Sequence, residues 1–414
     1  MRVERLGDLG TAADVLRAIG LAAERLSLPP PAALIGEWFG SAAVIAPSVD
    51  VRPVEPAAVF DGPAGPGGAV VGGGWIGYLS YPDRGADGAP PRVPSAAGGW
   101  TDSVLRLDDT GCWWFESLAG QAMPDWVAAA LTTPAGPADW DIAWEAPDAE
   151  RHRAGVLACL TAIRAGEIYQ ACVCTQFTAT LTGSTLEFFA DAVSRTAPAR
   201  AAYLAGPWGA IASLSPELFL RRAGDLVTSS PIKGTLPLHA DPELLRASAK
   251  DVAENIMIVD LVRNDLGHVA EIGSVTVPEL LSVRRAPGVW HLVSTVAARV
   301  PFSVPMASIL DATFPPASVT GTPKGRARQF LSQWEPVRRG VYCGTVGMAS
   351  PLAGTELNVA IRTVEFDANA RAVLGVGGGI TADSDADAEW QECLDKAAPF
   401  VAAAQVSRAR STAS

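Results

Sequence analysis

The strongest constraint on this chain is a change of pattern near Ala149, after which strand-length apolar stretches alternate with helix-length ones. The spacing predicts a helix from about Asp148 to Ala165, a strand from Ile168 to Thr180 and a helix from Leu186 to Ser194. Further on, Glu243 to Leu266 reads as one long helix, Gly340 to Met348 and Glu356 to Phe366 as strands, Ala372 to Thr381 as a glycine-rich strand, and Asp385 to Gln405 as a closing helix. Before the change, to about Asp141, the chain is rich in Ala, Gly and Pro. It carries short strand-like pieces there at Ala42 to Ala46, Gly73 to Leu79 and Cys112 to Phe115. The stretches Gly85 to Gly99 and Thr133 to Asp139 are loops by composition, too short to tether independent domains. One large intertwined unit is therefore expected, with residues 1–145 woven into a region 146–406 that carries the chemistry, and a disordered tail from Ser407 to Ser414.

Composition sets the class of partner. At 414 residues and 49% hydrophobic content the chain can bury a large core, and length alone suggests two or three domains. Its 44 acidic residues against 32 basic ones give a net charge of −12, which argues against nucleic acid or an anionic membrane as partner. A local basic pocket for a small anion remains open. The six cysteines form no C-x-x-C pair, which fits a reducing cytosol and small buried hydrophobes. The N-terminus lacks a signal-peptide run, and Gly, Pro or charge breaks every apolar stretch before it reaches bilayer length, so a cytoplasmic protein is expected.

Two helices each carry a pair of carboxylates three residues apart, Asp251 with Glu254 and Glu389 with Glu392, and such residues share a face. Glu254 also shares a stripe with Ile258 and Leu261, so its carboxylate points inward, where an unpaired charge is costly unless a cation meets it. Mg²⁺ suits such a site, because it takes few carboxylates and keeps several waters. From spacing alone, acidic residues on solvated helix faces are the commoner case. Lys396, one turn after Glu392, reads as a surface ion pair, and Lys233 in PIKGT as a solvated loop residue. Successive glycines in GVGGGIT let backbone N–H groups approach an anion, or let the strand pack closely on another backbone. His291, one of four histidines, sits in the apolar VWHLVS, the usual setting of a satisfied core histidine. The chain holds no C-x-x-C zinc site, H-E-x-x-H or G-x-S-x-G elbow.

Taken in order, the segments GEIYQ, SPELFL, SSPIKGT, AENIMIVDLVRNDLG, VWHLVSTV, SVTGTPKGRA, RRGVYCGTVG, LNVAIRT, GGGITADSD and EWQECLDKA resemble the chorismate-utilising enzymes. That family includes anthranilate, aminodeoxychorismate, isochorismate and salicylate synthases. The segments cover Gly166 to Ala398 almost continuously, and GGWIGYLSYP resembles the family's N-terminal half more loosely. The resemblance implies an α+β fold, anthranilate synthase component I-like, with two large antiparallel sheets as core and helices outside. It implies Glu254 and Glu392 as direct Mg²⁺ ligands, with Asp251 and Glu389 in the outer shell. Chorismate would be bound by Gly234, Thr235, Thr320, Tyr342, Arg362, Gly377, Gly378, Gly379, Lys396 and Gln170, Arg362 serving as a bidentate fork for a carboxylate. Glu217 matches the general acid that protonates the departing 4-hydroxyl, a role that needs a raised pKa, and His291 would lie near the reacting ring.

Two positions select within the family. Members that add water at C2 carry a lysine base where this chain has Gln170, and anthranilate synthases carry alanine where it has Lys233. The resemblance thus points to amination at C4, with the Lys233 amine attacking C2 before ammonia enters, which requires that amine in its neutral form. Nothing in the chain resembles a glutaminase nucleophile elbow, so ammonia is expected from a separate glutamine amidotransferase subunit or from solution. No lyase domain is recognised either, so the product is expected to keep its pyruvyl group. The competing readings are an anthranilate synthase large subunit and a non-catalytic scaffold for an amidotransferase.

Overall fold

In the computed structural model of the chain, which describes residues 1–62, 65–83, 90–133 and 135–411, with the side chains of the last helix described to residue 402, twenty-two strands and nine α-helices are laid out as follows. The first part holds β1 (Arg2–Gly7), α1 (Ala12–Arg25), β2 (Ala32–Trp38), β3 (Ser41–Ala46), β4 (Arg52–Pro53), β5 (Gly74–Leu79), β6 (Ala96–Thr101), β7 (Ser103–Leu107), β8 (Trp113–Ser117), α2 (Asp125–Leu131) and β9 (Trp140–Ile142). The middle runs through α3 (Ala149–Arg164), β10 (Gln170–Gly183), α4 (Thr185–Thr196), β11 (Arg200–Gly206), β12 (Gly209–Ser215), β13 (Leu218–Ala223), β14 (Leu226–Ser230), β15 (Ile232–Pro237), α5 (Glu243–Ala247), α6 (Ala249–Gly267), β16 (Thr276–Ala286) and β17 (Val289–Arg299). The last part is α7 (Met306–Thr313), β18 (Gly321–Thr322), α8 (Lys324–Trp334), β19 (Thr345–Ser350), β20 (Gly354–Asn358), β21 (Thr363–Asp367), β22 (Arg371–Ile380) and α9 (Ala386–Ser411).

The strands form two antiparallel sheets, in the orders β1-β8-β7-β3-β2-β11-β12-β21-β22-β10-β18 and β15-β17-β14-β13-β20-β19-β5-β6-β4, with β9 joined to β10 and β16 to β17. This is the α+β architecture the resemblance implied. Strands from before Ala149 continue both sheets: β2 pairs with β11, setting Ala33 opposite Tyr203, and β5 pairs with β19, setting Gly77 opposite Gly347.

The cores follow from period-two alternation, which sends successive residues to opposite sheet faces. On β2 and β11, Ala33, Ile35, Ala201 and Tyr203 pack under α1, α4 and α9, while Ala32, Leu34, Ala202 and Leu204 face the second sheet. Against the far side of that second sheet, α6 and α7 bury Ile258, Val262, Leu266 and Ile309 on Phe219, Val227 and Val296. The central strands of the first sheet are therefore covered on both faces, which is why β2, β3, β11 and β12 read as nearly continuous apolar runs. No helix among the described residues is long and apolar enough to cross a membrane.

Several expected elements are redrawn. The stretch Glu243 to Leu266 is two helices, because Ser248 adopts ψ 105°, ending α5, and its hydroxyl accepts from the Asp251 amide to cap α6. Glu356 to Phe366 is two strands in different sheets, β20 and β21. The chain crosses between sheets at 359–362, where Arg362 takes φ 50°. The strand expected from Gly340 begins only at Thr345, and the loop expected to Gly99 gives way to β6 at Ala96; residues 84–89 of that loop lie outside the described residues, as does residue 134 of the second loop. Of the tail from Ser407, α9 takes in 407–411, and 412–414 lie outside the described residues. The helix α1 went unread in the Ala-rich first part, although Thr11 and Asp14 form a reciprocal capping box at its start.

Candidate active site

The site is built on the end of β22. Beyond Leu374 that strand is no longer paired with β21, but it stays paired with β10, setting Cys174, Val173 and Cys172 opposite Gly377, Gly378 and Gly379. The missing side chains open a floor onto which groups from four elements converge. A Cβ on Gly379 would stand 3.3 Å from Lys233 Nζ, 3.5 Å from Gln170 Oε1 and 4.0 Å from Glu254 Oε2. One on Gly378 would stand 2.7 Å from Glu389 Oε2 and 3.9 Å from Glu392 Oε1. The close-packing reading of the glycine run is seen in its pairing with β10, and the side chains that approach the strand here are the Lys233 amine, the Gln170 amide and the helix carboxylates.

Helices α6 and α9 bring their carboxylates to this floor. Glu254 and Glu389 are buried, whereas the Glu392 side chain is 48% exposed. Ser384 donates to Glu389 Oε1 at 2.6 Å, and Lys250 Nζ lies 3.6 Å from the same oxygen. Three acceptor oxygens around the two glycines, Glu254 Oε1, Glu389 Oε2 and Gln170 Oε1, have no hydrogen-bond donor. Buried acceptors of this kind call for a cation or a donor from a ligand. Among the described residues no three His, Cys, Asp or Glu side chains are gathered tightly enough to enclose an ion by themselves. A hard cation that keeps waters and takes a substrate carboxylate fits that donor set. Asp251, in the first turn of α6, packs its carboxyl against Gly234, where a Cβ would come within 3.1 Å of Asp251 Cγ.

Lys233, on β15, reaches in with Nζ 3.9 Å from Glu254 Oε2 and 3.5 Å from the Ser318 carbonyl, its side chain 14% exposed. It is not the solvated loop residue its sequence setting suggests. Next to it, Thr235 and His291 face each other across β15 and β17, with Oγ1 and Nδ1 2.9 Å apart. Burial, helped by Arg362, pushes His291 down to about 4, so its ring is neutral at physiological pH. Its polar partner makes it a satisfied histidine as well as a site neighbour.

Glu217 lies between β12 and β13, held by Val359 N–H donating to its carbonyl at 3.0 Å and by its own N–H donating to Ser215 Oγ at 3.1 Å. It is 4% exposed. Burial pushes its carboxyl up to about 7, against the opposing pull of Ser318, Lys233 and Arg362. The guanidinium of Arg362 makes no hydrogen bond or ion pair among the described residues, which leaves its fork available to a carboxylate. Tyr342 packs its ring on Gly375, where a Cβ would come within 2.2 Å of Cγ. Thr320 donates to the Pro316 carbonyl at 2.9 Å. Lys396 donates to the Gly377 carbonyl at 2.6 Å and lies 2.7 Å from Glu392 Oε1, so it braces α9 against the glycine strand and is more than a surface ion pair.

Sequence reasoning missed Lys250, which bridges α6 to Glu389, and Ser318, which bears on both Glu217 and Lys233. It also missed Asn255, which is fully buried, donates to the Leu292 carbonyl and accepts from Ser294 Oγ at 2.5 Å, fixing α6 to β17. An asparagine on the apolar stripe of α6 was the available signal for the last of these.

Residues 63–402 match the family described as chorismate binding enzyme. Aminodeoxychorismate synthase component 1 of Klebsiella aerogenes is 44% identical over 242 residues, 56% of this chain and 53% of that protein. Aminodeoxychorismate synthase of Streptomyces pristinaespiralis is 36% identical over 375 residues, 82% of this chain and 52% of that protein. The chain spans about half the length of these curated relatives. Among solved structures, anthranilate synthase component I from Streptococcus pneumoniae superposes with a TM-score of 0.70 at 25% identity, covering 89% of each chain.

Proposed function

The chain belongs to the chorismate binding enzyme family, and on that premise we propose that it is the chorismate-converting part of an aminodeoxychorismate synthase, exchanging the 4-hydroxyl of chorismate for an amino group. One observation carries the choice of reaction: Lys233 Nζ stands over Gly379 beside Gln170, so the amine at the substrate floor is the one on β15, and the β10 position beside it holds an amide that cannot serve as a base. The 44% identity to an aminodeoxychorismate synthase component 1 supports the same choice.

In this reading Arg362 and the glycine floor hold the substrate's carboxylates. Glu254 and Glu392 would hold Mg²⁺, with Asp251 and Glu389 behind them, and the bound ion supplies positive charge that offsets the ring carboxylate. The neutral Lys233 amine attacks C2 while Glu217 gives its proton to the departing 4-hydroxyl, which leaves as water. Ammonia then forms the C4–N bond, and the C2–N bond to Lys233 breaks. Burial of Glu217 supports its part, because a carboxyl held near 7 is still protonated in about half of the molecules at neutral pH, where an ordinary glutamate has lost its proton. Ammonia reaches the site from a separate glutamine amidotransferase, a reading supported by the name component 1 carried by the relative, and all six cysteines being free accords with a reducing cytosol. The product feeds p-aminobenzoate and folate formation or a specialised metabolite.

The test is to incubate the purified chain with chorismate, Mg²⁺ and an ammonium salt and to identify the product by mass. An aminated product that retains the pyruvyl group is expected. Release of pyruvate with an aromatic product would transfer the chain to anthranilate synthesis, and the absence of any chorismate turnover would favour a scaffold.

A further inference from the structure

Two charged side chains that no step above employs, Asp265 and Lys324, meet behind the general acid. Lys324 Nζ donates to Asp265 Oδ2 at 2.6 Å and to the Thr313 carbonyl at 2.8 Å, and the two side chains are 16% and 9% exposed. Asp265 lies near the end of α6, Lys324 opens α8 and Thr313 ends α7, so three helices meet at this pair. Asp265, though not Lys324, shares with Glu217 the lining of a cavity of about 20 Å³, whose other polar lining residues are Ser229, Thr313 and Ser318. A volume above about 10–15 Å³ takes one water, and a buried water needs two to four polar partners, which these residues offer.

The proposed reaction creates a demand at this point. Chorismate, ammonia and one proton give the product in its ammonium form and water, and Glu217 supplies that proton in the hydroxyl-loss step. Its carboxylate must then be reprotonated in every cycle. With 4% exposure it has little direct contact with bulk solvent.

We propose that one water in this cavity, together with the Asp265–Lys324 pair, forms the route by which Glu217 regains its proton. Asp265 orders the water and passes a proton through it to the Glu217 carboxylate, Lys324 replaces that proton on Asp265, and Lys324, the more exposed of the two, is recharged from solvent. The inference rests on the reading of Glu217 as general acid. Burial supports it by raising Asp265 and lowering Lys324, each shift partly offset by the partner, so that a proton can change sides between them at lower cost than between the free side chains. The other charged groups that face these sites are Lys233 and Arg362 toward Glu217, His268 toward Asp265 and Arg328 toward Lys324.

The rival reading is a clamp that only ties three helices together, and two variants separate the two. Asp265→Asn keeps the shape and removes the ionisable group. Val262→Ile adds one methylene to a residue lining the cavity and leaves the ion pair untouched. Chorismate consumption by the purified chain is followed at fixed Mg²⁺ and fixed free ammonia, in H₂O and D₂O, with increasing imidazole as an external proton donor. Both folded variants are expected to lose about tenfold in kcat, with KM for chorismate unchanged, a larger solvent isotope effect than wild type, and recovery of rate as imidazole rises. Wild-type rate should not respond to imidazole. Wild-type kcat in Val262→Ile, or a loss in either folded variant that imidazole and D₂O leave untouched, overturns the route; if Asp265→Asn does not fold, Val262→Ile decides. Product mass in the same samples tests the function separately, because loss of the 4-hydroxyl needs the Glu217 proton whether nitrogen enters at C4 or elsewhere. A wild-type chain that consumes no chorismate brings down the general-acid reading and the route together.

Discussion

Glu217 shows how one residue's surroundings set both chemistry and stability. Burial lifts its carboxyl from 4.5 to about 7, so the native state binds a proton that the unfolded chain has already released. The stability this contributes is fully present below pH 4.5 and is lost as pH rises to about 7, amounting to about 3 kcal/mol at most. Urea unfolding between pH 5 and pH 8 should therefore show wild type losing stability relative to Glu217→Gln as pH rises. The same proton governs rate: at constant free ammonia, wild-type kcat should fall above pH about 7, while Glu217→Gln should lose about 10²- to 10⁴-fold below that pH and show no such limb, so that the gap narrows as pH rises. A Glu217→Gln profile that retains the limb would remove the residue from the role of acid. Lys233 makes a second prediction at this scale. Without ammonia, chorismate should accumulate on the protein as a secondary amine adduct at Lys233, visible by intact-protein and peptide mass spectrometry, and Lys233→Ala should abolish it. An adduct mapped to another residue would overturn the assignment.

At the scale of elements, the site depends on what β22 leaves out and where α6 starts. Replacing Gly378 by Ala would put a methyl 2.7 Å from Glu389 Oε2, and since that oxygen belongs to a side chain, the carboxylate must move while the strand stays paired with β10. Gly378→Ala should therefore raise the Mg²⁺ concentration for half-maximal rate by about 10- to 100-fold, the usual effect of disturbing an outer-shell partner, with the thermal midpoint little changed. An unaltered Mg²⁺ titration would remove Glu389 from the metal's surroundings. Ser248 is the corresponding control on α6: its hydroxyl accepts from the Asp251 amide at 3.2 Å, and Ser248→Ala should cost about 1 kcal/mol in unfolding free energy.

Across the whole molecule, residues 1–145 supply β1, β2, β3, β7, β8 and β9 to one sheet system and β4, β5 and β6 to the other. A chain reduced to 146–414 would expose the edges of β11 and β19 and the apolar faces of Leu204, Ile211 and Val346 that now pack between the sheets. Expressed alone it should aggregate or fail to give a cooperative melt, and a soluble, cooperatively melting fragment would show that the sheets are not one folding unit. The chain by itself determined what local periodicity and glycine placement can carry: the carboxylate pairs on α6 and α9, the inward face of Glu254, the glycine strand at Gly377 to Gly379, and the positions of α3, β10, α4, β22 and α9, whereas the run of strands β11 to β15 and the helices α7 and α8 were not read from it. It left undetermined which of two readings each charged residue took, since spacing records neighbours along one element and says nothing of what another element brings against it. Only the tertiary structure decided that Lys233 stands over Gly379, that Lys250 bridges to Glu389, that 359–362 crosses between sheets to deliver Arg362, and that Asp265 finds Lys324 behind Glu217. The physical reason is that burial sets the cost of each charge and the pull on each proton, and burial is a property of packed sheets and helices far apart in sequence.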